Sequence, residues 1–111
     1  MRETNGIIAV TEDPFIRKLL RDLLKKRGYR VVGSDAAGTI DWIESGTEIV
    51  DLVITNAPNR FEAVADKVAV LYLAGAPDPE AGSRFSAFRA LQKPFRPEQL
   101  LAAVNDLYGA V

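Results

Sequence analysis

Four short stretches of this 111-residue chain hold the residues whose types could do chemistry. Thr11-Glu12-Asp13-Pro14 follows an apolar run and offers two adjacent carboxylates, the kind of ligand a hard cation such as magnesium prefers. Asn56 follows a second apolar run and offers an amide, which has neither the charge nor the nucleophilicity of a carboxylate. Ala74 follows a third run and offers only a methyl group. Lys93, ahead of Pro94 and Phe95, offers an ammonium. Much of the usual catalytic repertoire is missing. The chain has no cysteine, so disulfides and thiolate metal sites are excluded. It has no histidine either, which removes the commonest metal ligand, general base and pH switch together. The residue types therefore leave little with which to build a catalytic site.

The elements that must position these stretches alternate along the chain. A length of 111 residues is one domain's worth, residues 1–111 as a single unit. Ile7-Ile8-Ala9-Val10 reads as a short buried strand. Asp13-Pro14 then opens a helix with a capping acid and a proline in its first turn. Apolar pairs Phe15/Ile16, Leu19/Leu20 and Leu23/Leu24 recur at a spacing of four, and Gly28 stops the helix. Tyr29 to Val32 is expected as a second strand. Residues 36 to 46 are expected as a helix with Ile40, Trp42 and Ile43 inward and Gly46 at its end. Val50 to Thr55 reads as a third strand, residues 60 to 66 as one short helix, and Val68 to Leu73 as a fourth strand. Residues 79 to 88 read as a weak helix, diluted by Gly82 and two serines. Ala90 to Gln92 is a short fifth strand, and Pro97 to Tyr108 a last helix. Strand and helix alternating in this way predict a parallel sheet covered on both faces, with right-handed crossovers. In such a sheet the ligand site lies beyond the carboxyl ends of the strands, where all four chemical stretches fall.

Those stretches carry a resemblance. Ile8-Ala9-Val10-Thr11-Glu12-Asp13-Pro14-Phe15-Ile16-Arg17, Asp51-Leu52-Val53-Ile54-Thr55, Val70-Leu71-Tyr72-Leu73-Ala74-Gly75 and Leu91-Gln92-Lys93-Pro94-Phe95 with Pro97-Glu98-Gln99-Leu100 resemble the receiver domain of two-component response regulators. The similarity covers nearly the whole chain. It implies an α/β, flavodoxin-like, doubly wound five-stranded parallel sheet of order 2-1-3-4-5, five strand–helix units in all, with the third helix shortened and the fourth weak. The family's site comprises an acidic pair that holds magnesium, an aspartate nucleophile, a hydroxyl after strand 4, an aromatic on strand 5 and a lysine after it. Thr11 and Glu12 fall on the acidic pair, Asn56 on the nucleophile, Ala74 on the hydroxyl and Ala90 on the aromatic. Lys93 alone is intact. Glu12 and Asp13 are left as weak metal candidates, so the expectation is no resident metal or cofactor, with magnesium binding weak or absent. Asn56 and Ala74 stand 18 positions apart, shorter than the family's segment by roughly a dozen residues, about one helix and its loop. The resemblance thus implies a degenerate receiver, a pseudo-receiver.

Several features have two readings. Asn56 is also a common turn residue at a strand end. Lys93 reads as pairing with Glu12 or Asp13 across the sheet end, or as a surface lysine before a proline whose peptide bond is often cis in the resembling family. Seven of the fourteen basic residues lie between Arg17 and Arg30, while the charges between Asp35 and Asp51 are all acidic. The basic helix is either a solvated face or a docking surface for an acidic partner. Phe85 and Phe88 read as core, or as an interface if their segment is loose. Leu107 and Tyr108 belong to a stripe whose surplus would favour a dimer contact.

Three functions follow. The first is a phosphorylation-independent protein–protein interaction module in two-component or phosphorelay signalling, partnered by a histidine kinase, another regulator or a copy of itself. The second is an atypical phosphorelay receiver that uses Asp13 or another nearby acid. The third is a flavodoxin-like domain binding a nucleotide or flavin phosphate; two acids and Pro14 in the first loop oppose it. A net charge of −1 opposes a nucleic-acid partner. The longest apolar run is too short for a membrane span, and residues 1–6 precede no hydrophobic secretory core, so a cytoplasmic location is expected.

Overall fold

The computed structural model describes residues 6–78 and 80–108. The expected absence of a secretory core rests mainly on Met1–Asn5, which lie outside the described residues, as does Pro79 at the start of the expected weak helix. Five strands, β1 Ile7–Thr11, β2 Val31–Gly33, β3 Val50–Thr55, β4 Ala69–Ala74 and β5 Phe88–Gln92, form one sheet of order β2-β1-β3-β4-β5. Every pairing is parallel. The inner strands need apolar residues on both faces, which is why β1, β3 and β4 read as near-continuous apolar runs.

The two-residue period of a strand sorts these side chains into two cores. Ile8, Val10, Leu52, Ile54, Leu71 and Leu73 pack on one face beneath Leu20 and Leu24 of α1 (Pro14–Lys25) and Leu100, Val104 and Leu107 of α3 (Pro97–Leu107). Ile7, Ala9, Val53 and Val70 pack on the other. That face is covered by Ile40, Trp42 and Ile43 of α2 (Ala36–Ser45) and by Phe61 and Val64 of a 3-10 segment, Pro58–Val64. The helix starts are set locally. Asp13 Oδ1 accepts from the Phe15 and Ile16 amides at 3.0 and 3.1 Å, and Asp35 Oδ1 from the Gly38 amide at 2.7 Å. Gly46, at φ +74°, ends α2 in a conformation that a side chain would strain.

Four expectations need correction. The second strand begins at Val31, where pairing with Ile8 starts; Tyr29 lies before it with its ring edge-on to Tyr108, centroids 5.0 Å apart. The third helix is short, as expected, but it is wound as the 3-10 segment, since the short β3–β4 connection leaves room for one tight run opened by Pro58. No fourth helix forms between β4 and β5 among the described residues. Successive tight turns replace it, with amides of Ala81, Ser83 and Phe85 bonded three residues back. Gly82 lies against the Phe88 ring, where an added Cβ would stand 2.2 Å from Cδ1. Phe88 therefore joins β5, and Phe85 stacks on it at 5.5 Å over the second core. Five complete strand–helix units is thus one too many.

The proposed interface residues are drawn inward. Phe85 and Phe88 are half-buried, and Leu107 and Tyr108 are buried in the first core. The Tyr108 hydroxyl also donates to the Gly6 carbonyl at 2.7 Å, tying the end of α3 to the entry of β1 across 102 residues. Tyr108→Phe is expected to cost about 1 kcal/mol by denaturant titration, the worth of one buried hydrogen bond. An unchanged midpoint would show that the bond contributes nothing.

Candidate functional site

The sheet register assembles the strand-end site. Thr11 at the end of β1 lies opposite Thr55 at the end of β3, which brings Glu12 and Asn56 to the same edge. Ala74 at the end of β4 lies opposite Gln92, and the Lys93 amide donates to the Ala74 carbonyl at 2.8 Å. Thr11, Glu12, Asn56, Ala74 and Lys93 therefore meet at the carboxyl ends of the strands. Ala90 sits further back on β5 opposite Tyr72, and is exposed. The Lys93-Pro94 bond is cis.

An ion pair at this edge joins Lys93 Nζ to Glu12 Oε1 at 3.3 Å. The Glu12 side chain is 0% exposed and that of Lys93 30% exposed. Glu12 Oε2 and the neighbouring Thr11 Oγ1 are buried without a hydrogen-bond partner. Burial raises the Glu12 carboxyl above its ordinary value of 4.5, while the Lys93 ammonium opposes the rise. Asp13 takes no part in the Lys93 pair, because its Oδ1 caps α1 and its side chain is exposed. The donor set fits magnesium poorly. One Glu12 oxygen is held by an ammonium, position 11 carries a hydroxyl and position 56 an amide where hard anionic oxygens are needed. Among the described residues no three acids, histidines or cysteines cluster in a metal-binding arrangement.

Beside the Glu12–Lys93 pair opens a cleft of ≈ 340 Å³ on the β2 side of β1, lined by Thr11, Arg17, Ser34, Asp35, Asn56 and Arg60 among others. A second, of ≈ 350 Å³, lies on the other side of Asn56, toward Tyr72 and Asp78. Asn56 thus sits on the wall between two clefts. The turn after β3 is fixed by the Ala57 amide, which donates to Thr55 Oγ1 at 3.0 Å. Sequence reasoning did not place Ser34, Asp35 or Arg60 here, and it read Arg17 only as part of a basic helix. A signal existed for two of them: Ser34-Asp35 follows a strand and opens a helix, so it had to lie at the strand ends.

The buried pair carries a pH prediction. A carboxyl raised in the folded state binds its proton more tightly there than in the unfolded chain. Stability attributable to it therefore falls as pH climbs from 4.5 through the folded value. Lys93→Met removes the opposing ammonium and widens that window upward. The variant is expected to lose about 3 kcal/mol near neutral pH. The deficit should shrink once the pH drops below the ordinary glutamate range. Denaturant midpoints at both pH values check this, and an equal loss at both would contradict it.

No family model matches the chain, and no curated protein matches it in sequence. Solved structures do share its fold. The chemotaxis protein CheY4 of Vibrio cholerae aligns with a TM-score of 0.75 at 23% identity, over 92% of this chain and 97% of that one. A response regulator receiver protein from Sinorhizobium medicae gives 0.75 at 21% identity, over 97% of both chains. A CheY-like response regulator receiver domain protein from Methanospirillum hungatei gives 0.70 at 19% identity, over 96% of both. The chain has the CheY-like, flavodoxin-like fold, five parallel strands in the order 2-1-3-4-5 with flanking helices.

Proposed function

We propose that this chain is a receiver-like signalling module that binds protein partners without being phosphorylated. The observation that carries the reading is Asn56. It follows β3 at the sheet edge where the receiver resemblance places a nucleophilic aspartate, and an amide cannot form an acyl phosphate. Its neighbours support the same reading. Thr11 replaces a magnesium-binding acid, Ala74 a phosphate-gripping hydroxyl and Ala90 a movable ring. With nucleophile, metal site and relay lost together, the chain is no enzyme, holds no resident cofactor and answers to occupancy by a partner.

The outer face of α1 supports a protein partner of acidic character. Phe15 is 76% exposed and Leu19 51%, one turn apart. Lys18, Arg21, Lys25 and Lys26 are exposed on the same helix. Apolar anchors among mostly basic neighbours, with Asp22 the one acid on the helix, suit recognition of a largely acidic surface on a histidine kinase, another regulator or a second copy. No helix among the described residues is long and apolar enough to cross a membrane, and we place the module in the cytoplasm. The alternative in which Asp13 takes the phosphoryl group is disfavoured by its capping bonds to Phe15 and Ile16.

Incubation with a small phosphodonor and magnesium, followed by intact mass under denaturing conditions, tests the reading. The expected result is the unmodified mass. A stoichiometric phosphoryl adduct would sink it, and its position would identify the acceptor.

A further inference from the structure

We propose that the cleft on the β2 side of β1 is a noncovalent site for a small dianionic oxyanion of the phosphate class, gripped by Arg17 and Arg60. The inference is independent of whether Asn56 accepts a phosphoryl group, since it involves no bond to that residue.

Four charged side chains line the cleft: Glu12, Asp35, Arg17 and Arg60. Glu12 is ion-paired and Asp35 is engaged as the cap of α2. Glu12 faces the Lys93 ammonium at 3.3 Å. Asp35 accepts from the Gly38 amide at 2.7 Å and sits at the positive end of α2. Neither arginine side chain has an ion pair or a hydrogen bond among the described residues. The cations of the lining that no partner engages are the two guanidinium groups, each a fork of donors matched to oxyanion oxygens, while Asp35 keeps its negative charge beside them.

The neutral lining agrees with an acceptor-rich ligand. Thr11 Oγ1 is buried and unpartnered, a hydroxyl with no acceptor to bond. Leaving such a group unsatisfied is costly, and a ligand oxygen would relieve it. Asn56 adds an exposed amide at the rim. A volume of ≈ 340 Å³ lies at the small end of ligand pockets, roughly 300 to 1,000 Å³. Two guanidinium groups favour a dianion over a monoanion.

Arg17 is also seated by design of the neighbouring strand. Its aliphatic stem crosses Gly33, where an added Cβ would stand 2.2 Å from Arg17 Cδ and 3.0 Å from Cγ. The missing side chain on β2 is the space in which Arg17 reaches the cleft. Arg60 arrives from the opposite face of the sheet on the 3-10 segment. Two elements on two faces thus converge on one opening.

The test is titration of inorganic phosphate into the full chain at ionic strength held constant with chloride, read by amide and arginine Nε shifts in nitrogen-15 NMR. Saturable shifts are expected at Ser34, Asn56 and Ala57 and on both arginines. Arg17→Gln and Arg60→Gln should each weaken binding about tenfold or more, the loss of one charge-assisted contact. Gly33→Ala should weaken it as well, by displacing the Arg17 stem while both charges remain. Lys26→Gln, on the same basic helix but outside the cleft, should leave the affinity unchanged, and acetate should bind more weakly than phosphate. The proposal is overturned if the shifts do not saturate, if Arg17→Gln and Arg60→Gln bind like the parent, or if acetate binds as tightly as phosphate. Thermal melts of each variant confirm that the fold is retained, and the two arginine substitutions decide the matter should Gly33→Ala fail to fold.

Discussion

A carboxylate with no exposed surface sits at the end of β1, held by one ammonium that arrives 81 residues later in the chain. Isolated, such a charge would be expensive to bury. Glu12 therefore has to meet Lys93, and the sheet has to bring the two together. β1 and β5 are not neighbours; β3 and β4 lie between them. The pair spans the carboxyl edge of the sheet and draws the loops after β1 and β5 toward each other. This link occupies one oxygen of Glu12 and leaves the second buried and unsatisfied beside an equally unsatisfied Thr11 hydroxyl. An edge built this way is a poor host for a divalent cation.

The same edge divides the surface into regions of different character. On the β2 side the unspent charge belongs to two arginines. On the β4 side the cleft is lined by Glu62, Asp78 and Glu80 around Tyr72. Asn56 separates them, a neutral amide between an opening of mixed charge and an acidic one. Away from the edge, the sequence segregation of charge becomes a segregation of faces. The basic run lies on and just after α1, over the first core, whereas Asp35, Asp41, Glu44 and Glu48 cap, lie on or follow α2, over the second. The exposed large apolar residues fall in these same regions, Phe15 and Leu19 with the bases and Ile49 just after the acids.

Much of the fold was legible because its signals are local. Asp13-Pro14 announces the start of α1, Gly46 the end of α2, and the apolar runs at 7–10, 50–55 and 68–73 announce three inner strands within a residue of their observed bounds. Lys93 was legible at the strand ends as a partner for Glu12 or Asp13, with the choice between them left open. It turned on Asp13 being spent as a helix cap. The stretch from 78 to 88 misled for a physical reason. Phe85 and Phe88 fit a helical spacing, yet their stacking depends on Gly82 admitting the Phe88 ring and on a second core that no local pattern reveals. Leu107 and Tyr108 looked like surplus on the last helix. They are buried because Tyr29 and the Gly6 carbonyl, both distant in sequence, wait for the Tyr108 ring and hydroxyl. Arg60 in the cleft was beyond reach for the same reason: its position follows from a 3-10 turn whose length, not its composition, sets where the side chain lands.

The reading of this edge as a site that has lost nucleophile, metal ligand and hydroxyl together is tested most directly by rebuilding it in steps. Asn56→Asp alone is compared with the triple variant Thr11→Asp, Asn56→Asp, Ala74→Thr, each incubated with a small phosphodonor and magnesium and weighed intact. The single variant is expected to stay unmodified and the triple variant to gain one phosphoryl group. Stoichiometric labelling of the single variant would contradict it, since one carboxylate would then have been all that the site lacked.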